Sequence, residues 1–371
     1  MKKAINLILL LFIISSVYCQ TATDYYNYGL IKIKSKDYRG AIEDFNNAVK
    51  LKPEDANSYL NRGIAKFELK KYNEAIEDYN VSIIINSKNA IAYFNRGNAK
   101  VAISDFKGAI EDYGKAVRIN PKYFEAYLKM GKAKAEIKEY DAAIKDFTKV
   151  ITMKPYEIDA YFNRGIIYLS ISSHSNAISD FNKVISIDQK NIKAYTQRGH
   201  AKAESLDYKG AIDDYNKILE ISPNEFISFY YKGNVKIQMQ DFKGAIEDYN
   251  IAIKYNPKDA NIYYKRGEAK AELQDLKGTL ADYNKVVELN PKFIDIYCKR
   301  GLTKLDLQEF NDAILDFNKA IEINSKDAKA YRGRGLAKVL LGQKENGCND
   351  LNKAAELGSQ DAALKANEYC R

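Results

Sequence analysis

Side chains able to do chemistry are abundant in this sequence: Asp and Glu number 49, Lys and Arg 58, and there are two His and four Cys. General acid–base work, metal binding and phosphate capture each need a local constellation of such groups, assembled at one site. The charges here lie on a lattice instead. Arg62, Arg96, Arg164, Arg198, Arg266, Arg300 and Arg334 share one place in a 34-residue frame, a Lys stands four residues after that place in nine units from Lys32 to Lys338, and an Asp stands sixteen after it in all ten, Asp44 to Asp350. Arg and Lys at that spacing sit one turn apart on a helix, so an Asp on a neighbouring helix can pair with both. The rival chemistry is a basic stripe for phosphate or an acidic ligand. An acid that recurs as faithfully as the bases favours an ion-pair ladder between helices.

Nothing else rises above the lattice. His174 and His200 are the only histidines, and the chain holds no Gly-rich phosphate loop, nucleophile elbow or Cys-x-x-Cys. No catalytic residue, metal ligand or cofactor is expected, and the chain is read as a non-enzyme. The net charge of +9 is spread over units in which both signs are interspersed. That describes a solvated surface, and no nucleic-acid partner is expected.

The elements that position these charges follow from the repeat. Asp105 to Tyr113 reads DFKGAIEDY and returns identically at Asp241 to Tyr249; counted from Ala22, ten units of 34 residues run in register without insertion. Numbering each unit 1 to 34, place 4 is always aromatic (Tyr25 to Tyr331) and place 8 always Gly (Gly29 to Gly335). Place 20 is Ala in eight units, place 24 Phe or Tyr in nine, and place 32 holds all six prolines. Places 4, 8 and 11, then 20, 24 and 27, carry the spacing of two amphipathic helices. The turn between them is expected at places 15 to 19, and Pro at place 32 ends the second helix. A Gly inside a helix costs about 1 kcal/mol relative to Ala, so ten of them must permit a close approach, here expected from the Ala at place 20. Asn at place 25, in eight units, is expected on the helix surface or bonded to backbone.

Tyr93, Gly97, Ala109, Tyr113, Ala116 and Pro121 stand at the small, aromatic and proline places by which the third unit resembles a tetratricopeptide repeat (TPR). The resemblance extends over nearly all of the chain. It implies an all-α fold, a right-handed superhelical solenoid of ten 34-residue helix-turn-helix repeats over residues 20–359, with residues 360–371 as a C-terminal capping helix. It also implies that first helices line a concave groove, whose usual role is to hold a peptide or protein partner. The chain departs from the family at place 7, where Leu is common and Arg stands here, and at place 11, where Lys replaces an aromatic.

Within that frame a candidate site takes shape. Place 5 carries Tyr26, Leu60, Phe94, Leu128, Phe162, Tyr230, Tyr264 and Cys298, a row beyond the minimal core that the resemblance places in the groove, with Asn27, Asn61, Asn95 and Asn163 beside it. Aromatics to hold side chains and amides to bond backbone suit an extended peptide. The competing expectation is that the row packs upon itself in a tight superhelix. Glu68, Glu136, Glu204 and Glu272 add an acid at place 13 of alternate units. The family's clamp for carboxylate tails needs Lys and Asn where Tyr26, Leu60, Phe94, Leu128 and Phe162 stand, so a chaperone-tail adaptor is disfavoured.

The two ends carry their own signals. Residues 1–19 have Lys2 and Lys3, an apolar run from Ala4 to Ile14 and a region ending Val17-Tyr18-Cys19, the form of a signal peptide cleaved before Gln20. Export to a periplasmic or extracellular space is expected. The alternative is retention of a lipidated Cys19, the one route to membrane association. In an oxidising space Cys348 and Cys370 are expected to bridge, stapling the cap to the last repeat and leaving Cys298 free. The resemblance to exported bacterial members of the family points to the same pair. The expected function is an exported scaffold with a partner in the groove; the alternative is a structural or assembly subunit of an envelope or secretion complex.

Overall fold

The computed structural model describes residues 20–293 and 295–370; the leader expected at residues 1–19 lies outside them. Among the described residues there are twenty-one α-helices and no strand. They alternate as first and second helices of ten repeats, from Ala22–Lys34 and Tyr38–Leu51 to Ala328–Leu340 and Lys344–Glu356, and Gln360–Tyr369 follows as a single last helix. Two compact units divide them, one with repeats 1 to 5 that ends at residue 189 and one from residue 190 with repeats 6 to 10 and the last helix.

Each turn between paired helices is built the same way. Place 15 adopts the left-handed conformation in all ten repeats, φ 56–68° for residues as varied as Ser172 and Leu206, and only the tenth supplies a glycine, Gly342. The amide of place 16 then donates to the carbonyl of place 11, as Asp37 does to Lys32 at 2.9 Å and Asp105 to Lys100 at 2.8 Å, which closes the first helix. The second helix starts at place 17, earlier than the sequence suggested. Asp37, Asp105, Asp207, Asp241 and Asp275 cap it, each accepting at 2.9–3.0 Å from the amide of a Gly three residues on. A Cβ on those glycines would come within 2.0–2.2 Å of the capping carboxylate. Asp and Gly therefore travel together: repeats with Lys71, Glu139, Ser173, Glu309 or Gln343 at the cap have no Gly at place 19.

The glycine of place 8 has a different neighbour from the one expected. A Cβ at Gly63, Gly97 or Gly233 would meet Tyr79, Tyr113 or Tyr249 at 2.5–2.6 Å, so the ring of place 24, rather than the Ala of place 20, lies against it. Those rings are nearly or wholly buried, and burial raises the tyrosine pKa values. Ala at place 20 is fully buried beside them, as Ala75, Ala109 and Ala245 show. Each core also reaches into the next repeat: Ala99 packs with Tyr79 and Ile83, Ala133 with Tyr113 and Ala116, and Ala269 with Tyr249 and Ala252. In the first unit each first helix touches the next one, in the second unit those of repeats 7 and 8 and of 9 and 10 do, and no second helices meet to a comparable extent. First helices thus line the inner side of each unit.

Candidate functional site

The lattice charges are consumed within the fold. All seven Arg at place 7 grip the Asp of their own repeat with both oxygens, Nη2 to Oδ1 at 2.5–2.7 Å and Nε to Oδ2 at 2.8–3.0 Å. Nine Lys at place 11 reach the place-23 carboxylate of their own repeats at 2.7–3.0 Å, and six of those carboxylates are shared with an Arg. The third guanidinium nitrogen crosses to the preceding repeat, where Asn46, Asn80, Asn250, Asn284 and Asn318 accept it at 2.6–3.0 Å and Thr148 at 2.8 Å. Each guanidinium also lies over the place-4 ring of its own helix, 5.2–5.8 Å from the centroid. The Asp is buried in every repeat. Such forked, charge-assisted contacts leave the basic residues no hand for a phosphate, so the stripe is a structural ladder. The Asn of place 25, expected on the surface or bonded to backbone, is its link between repeats.

What the ladder leaves over is the inner face of the first helices. At place 5 the rings of Tyr26, Phe94, Phe162, Tyr230 and Tyr264 are half-buried, their centroids 5.7–6.1 Å from the place-24 ring of the same repeat. Tyr123 closes on Phe94 at 4.9 Å, as Phe293 does on Tyr264. Each ring is thus partly in the core and partly open. Leu128 is half-buried against the core of repeat 4, and Leu60 and Cys298 are buried outright, so these two belong to the core. Burial pushes the Cys298 thiol up to about 12.

The amides beside the row are only partly free. Asn27 is exposed and Asn95 half-buried. Asn61 donates to the Tyr26 hydroxyl at 3.2 Å and to the Asn57 carbonyl at 2.9 Å, and Asn163 donates to the Asp159 carbonyl at 2.6 Å. A cleft of about 330 Å³ opens between repeats 4 and 5, lined among others by Lys132, Glu136, Tyr140, Asn163 and Ile166.

In the second unit the same places carry charge. Glu268 accepts from Lys265 at 2.9 Å and from Lys299 at 2.6 Å, and both ammonium groups lie over the Tyr264 ring, at 5.6 and 5.2 Å. The two lysines hold the Glu268 carboxyl below its usual value although burial works against them, and Glu268 in turn raises the pKa of Lys299. Further along, the His200 ring stands edge-on to Tyr231 at 4.5 Å, and burial lowers its pKa. Sequence reasoning passed over Tyr231, Lys265 and Lys299. Their signal was present: each stands at place 6, where four repeats of the first unit have Asn.

Cys348 and Cys370 are joined by a disulfide, with a Cα–Cα distance of 5.7 Å. Among the described residues no three of His, Cys, Asp and Glu could hold a metal, and no helix is long and apolar enough to cross a membrane.

The repeat geometry has known counterparts. The family described as "TPR repeat" matches residues 29–70, 63–104, 97–138 and 233–274, and that described as "Tetratricopeptide repeat" matches 124–157, 158–191, 192–225, 260–293 and 294–327. The chain belongs to the tetratricopeptide repeat family. Among solved structures, the C-terminal part of a TPR repeat-containing protein from Cytophaga hutchinsonii is 19% identical over 73% of this chain and 97% of its own, with a TM-score of 0.51, a likeness of fold alone. YrrB, titled a TPR protein with an unusual peptide-binding site, is 21% identical over 51% of this chain and 97% of its own, with a TM-score of 0.46. Yeast Tom70 is 15% identical over 94% of each chain, with a TM-score of 0.45. No curated protein matches the chain. Proteins of this family mediate protein–protein interaction.

Proposed function

We propose that the chain is an exported, non-enzymatic scaffold that holds an extended peptide or an unfolded protein segment against the inner face of its first helices. Residues 1–19 direct export and are removed before Gln20. The observation that carries the reading is the division of labour along each first helix. Places 7 and 11 are satisfied by the buried Asp, while places 5, 6 and 9 present half-buried rings, amides and the cleft at Asn163 and Ile166 to solvent. Rings and amides are what an extended peptide uses, the first for its side chains and the second for its backbone.

Photo-crosslinking in the exporting cell tests this directly. A crosslinking side chain at Asn95 or Ile166 should capture one and the same partner, whereas one at Lys115 or Lys149, exposed on second helices, should not. Capture from Lys115 and Lys149 alone moves the binding surface to the second helices and favours an envelope assembly subunit. Sequencing the N-terminus of the exported protein tests the leader, because a start other than Gln20 defeats the cleavage assigned here.

A further inference from the structure

The two ends of the repeat array are unlike, and the difference has a use. Place 10 of the first helix packs on the second helix of the preceding repeat: Ala65 lies with Phe45, Ala99 with Tyr79, and Ile167 with Phe147 and Val150. It is at most 6% exposed in repeats 2 to 10. In repeat 1, which has no preceding repeat, Ile31 occupies place 10 at 61% exposure, and Tyr28, one turn earlier where seven other repeats have Arg, is 45% exposed. Ile167 shows that an isoleucine fits this contact when a second helix is there to receive it. The first repeat thus carries an apolar docking face, and its lack of an Arg removes the one group that would need an Asn from a preceding repeat.

At the other end the matching surface exists and is covered. The second helix of repeat 10, Lys344–Glu356, is packed by the last helix, Gln360–Tyr369, and Leu351 and Ala354 are wholly buried. The covering helix is a weak occupant. It is ten residues long, too short to persist alone in water, and the side chains it buries fully enough to count as core are Ala362 and Ala366. Its Leu364 is 67% exposed. What ties it down is the Cys348–Cys370 bridge, together with an ion pair from Arg332 to Asp361.

We infer that the last helix is a removable plug, and that once the bridge is reduced a second copy of this chain docks the first helix of its repeat 1 on the second helix of repeat 10, giving head-to-tail association. An external dithiol supplies two electrons and two protons, the bridge becomes two thiols, and the dithiol closes to its own disulfide. Ile31 and Tyr28 of the incoming copy bring larger apolar side chains to that face than the buried Ala362 and Ala366 do, and burial of that surface drives the exchange. While the bridge is closed, the only receptive second-helix end is blocked and the chain stays single.

Light scattering on the processed chain, with and without dithiothreitol, tests the inference. The oxidised protein should keep the mass of one chain at every concentration, and the reduced protein should grow in mass with concentration. Cys348→Ser with Cys370→Ser should associate without reductant, and Ile31→Asp, a change at an exposed residue, should restore the single-chain mass at an unchanged melting temperature. Reduced protein that stays single overturns the proposal. So does association that survives Ile31→Asp, and so does an oxidised dimer that Ile31→Asp dissolves, which would mean a two-fold pairing of N-terminal faces.

Discussion

Repeats 3 and 4 are neighbours on one frame, and their ladders differ. In repeat 3 Asp112 is held by Arg96 and Lys100, and Arg96 crosses to Asn80 of repeat 2. In repeat 4 Met130 stands in the Arg place, Asp146 keeps only Lys134, and the residue that an Arg would have reached in repeat 3 is Gly114 rather than Asn. Donor and distant acceptor are missing together. In repeat 7, by contrast, Lys232 replaces the Arg while Asn216 of the preceding repeat remains. Where the fork is complete, as in repeat 3, it joins two helices of a repeat to one of its predecessor.

The largest break in that comparison comes from removing the acid. Asp112→Ala strands two cations whose side chains are less than a fifth exposed, and should cost about 2–3 kcal/mol of stability. Asp146→Ala strands one, and should cost less, about 1–2 kcal/mol. Asp105→Ala, which removes only the cap on Gly108, belongs near 1 kcal/mol. Urea midpoints of the three variants rank them, and equal losses at Asp112 and Asp146 would mean that Arg96 contributes nothing.

Two glycines of repeat 3 sharpen the contrast between packing and propensity. Gly97 faces Tyr113, which an added Cβ would meet at 2.6 Å, whereas nothing lies within 4 Å of a Cβ on Gly114. Gly97→Ala should destabilise by about 1–3 kcal/mol through overpacking. Gly114→Ala should stabilise by up to about 1 kcal/mol, since it adds helix propensity and meets nothing. Thermal melts showing the same sign for both would refute the ring contact as the reason for the glycine at place 8.

How far the sequence reached can be judged on these same residues. The period gave the helix pairs and the pairing of Arg, Lys and Asp, because each rests on spacing within one chain segment. It did not give the partner of Gly97: Ala at place 20 and the ring at place 24 lie one turn apart on the same buried face, and only coordinates decide which meets the glycine. Nor did it give the role of Asn at place 25, whose partner comes from the next repeat. Yet Gly114 beside Met130 was a legible trace of it, and Asp105 with Gly108 a legible trace of the cap. The groove row was legible as a row. Its division into the buried Leu60 and the half-open Phe94 was not, since burial there depends on neighbouring side chains such as Tyr123.

If the ladder is one joint, repeat 4 should accept it whole and refuse it in parts. Met130→Arg with Gly114→Asn supplies the fork and its crossing partner, and should raise stability by about 1 kcal/mol. Met130→Arg alone places a cation at a buried site with its third nitrogen unmet, and should gain less or lose. A double-mutant cycle on urea midpoints reads the coupling, and strict additivity would mean that the bond between repeats is idle.

The smallest effect is the pH dependence that separates Asp146 from an ordinary carboxylate. Burial raises its pKa, against the opposing pull of Lys134. A carboxyl whose folded pKa lies above its unfolded one binds more protons folded than unfolded in the interval between the two, so stability falls as pH rises through that interval and stays lower above it. The window opens at the usual carboxylate value, 3.8, and extends upward to the raised one. Asp146→Asn cannot titrate, so the difference in midpoint between this variant and the parent should widen in the variant's favour as pH rises through the window, less whatever the lost contact with Lys134 removes at all pH values. Met130→Arg with Gly114→Asn should erase the same slope by a different route, because the guanidinium stabilises the charged form. A slope that persists in the Arg-bearing chain would show that burial at place 23 outweighs the fork, and repeat 3 would then owe its stability to packing rather than to Arg96.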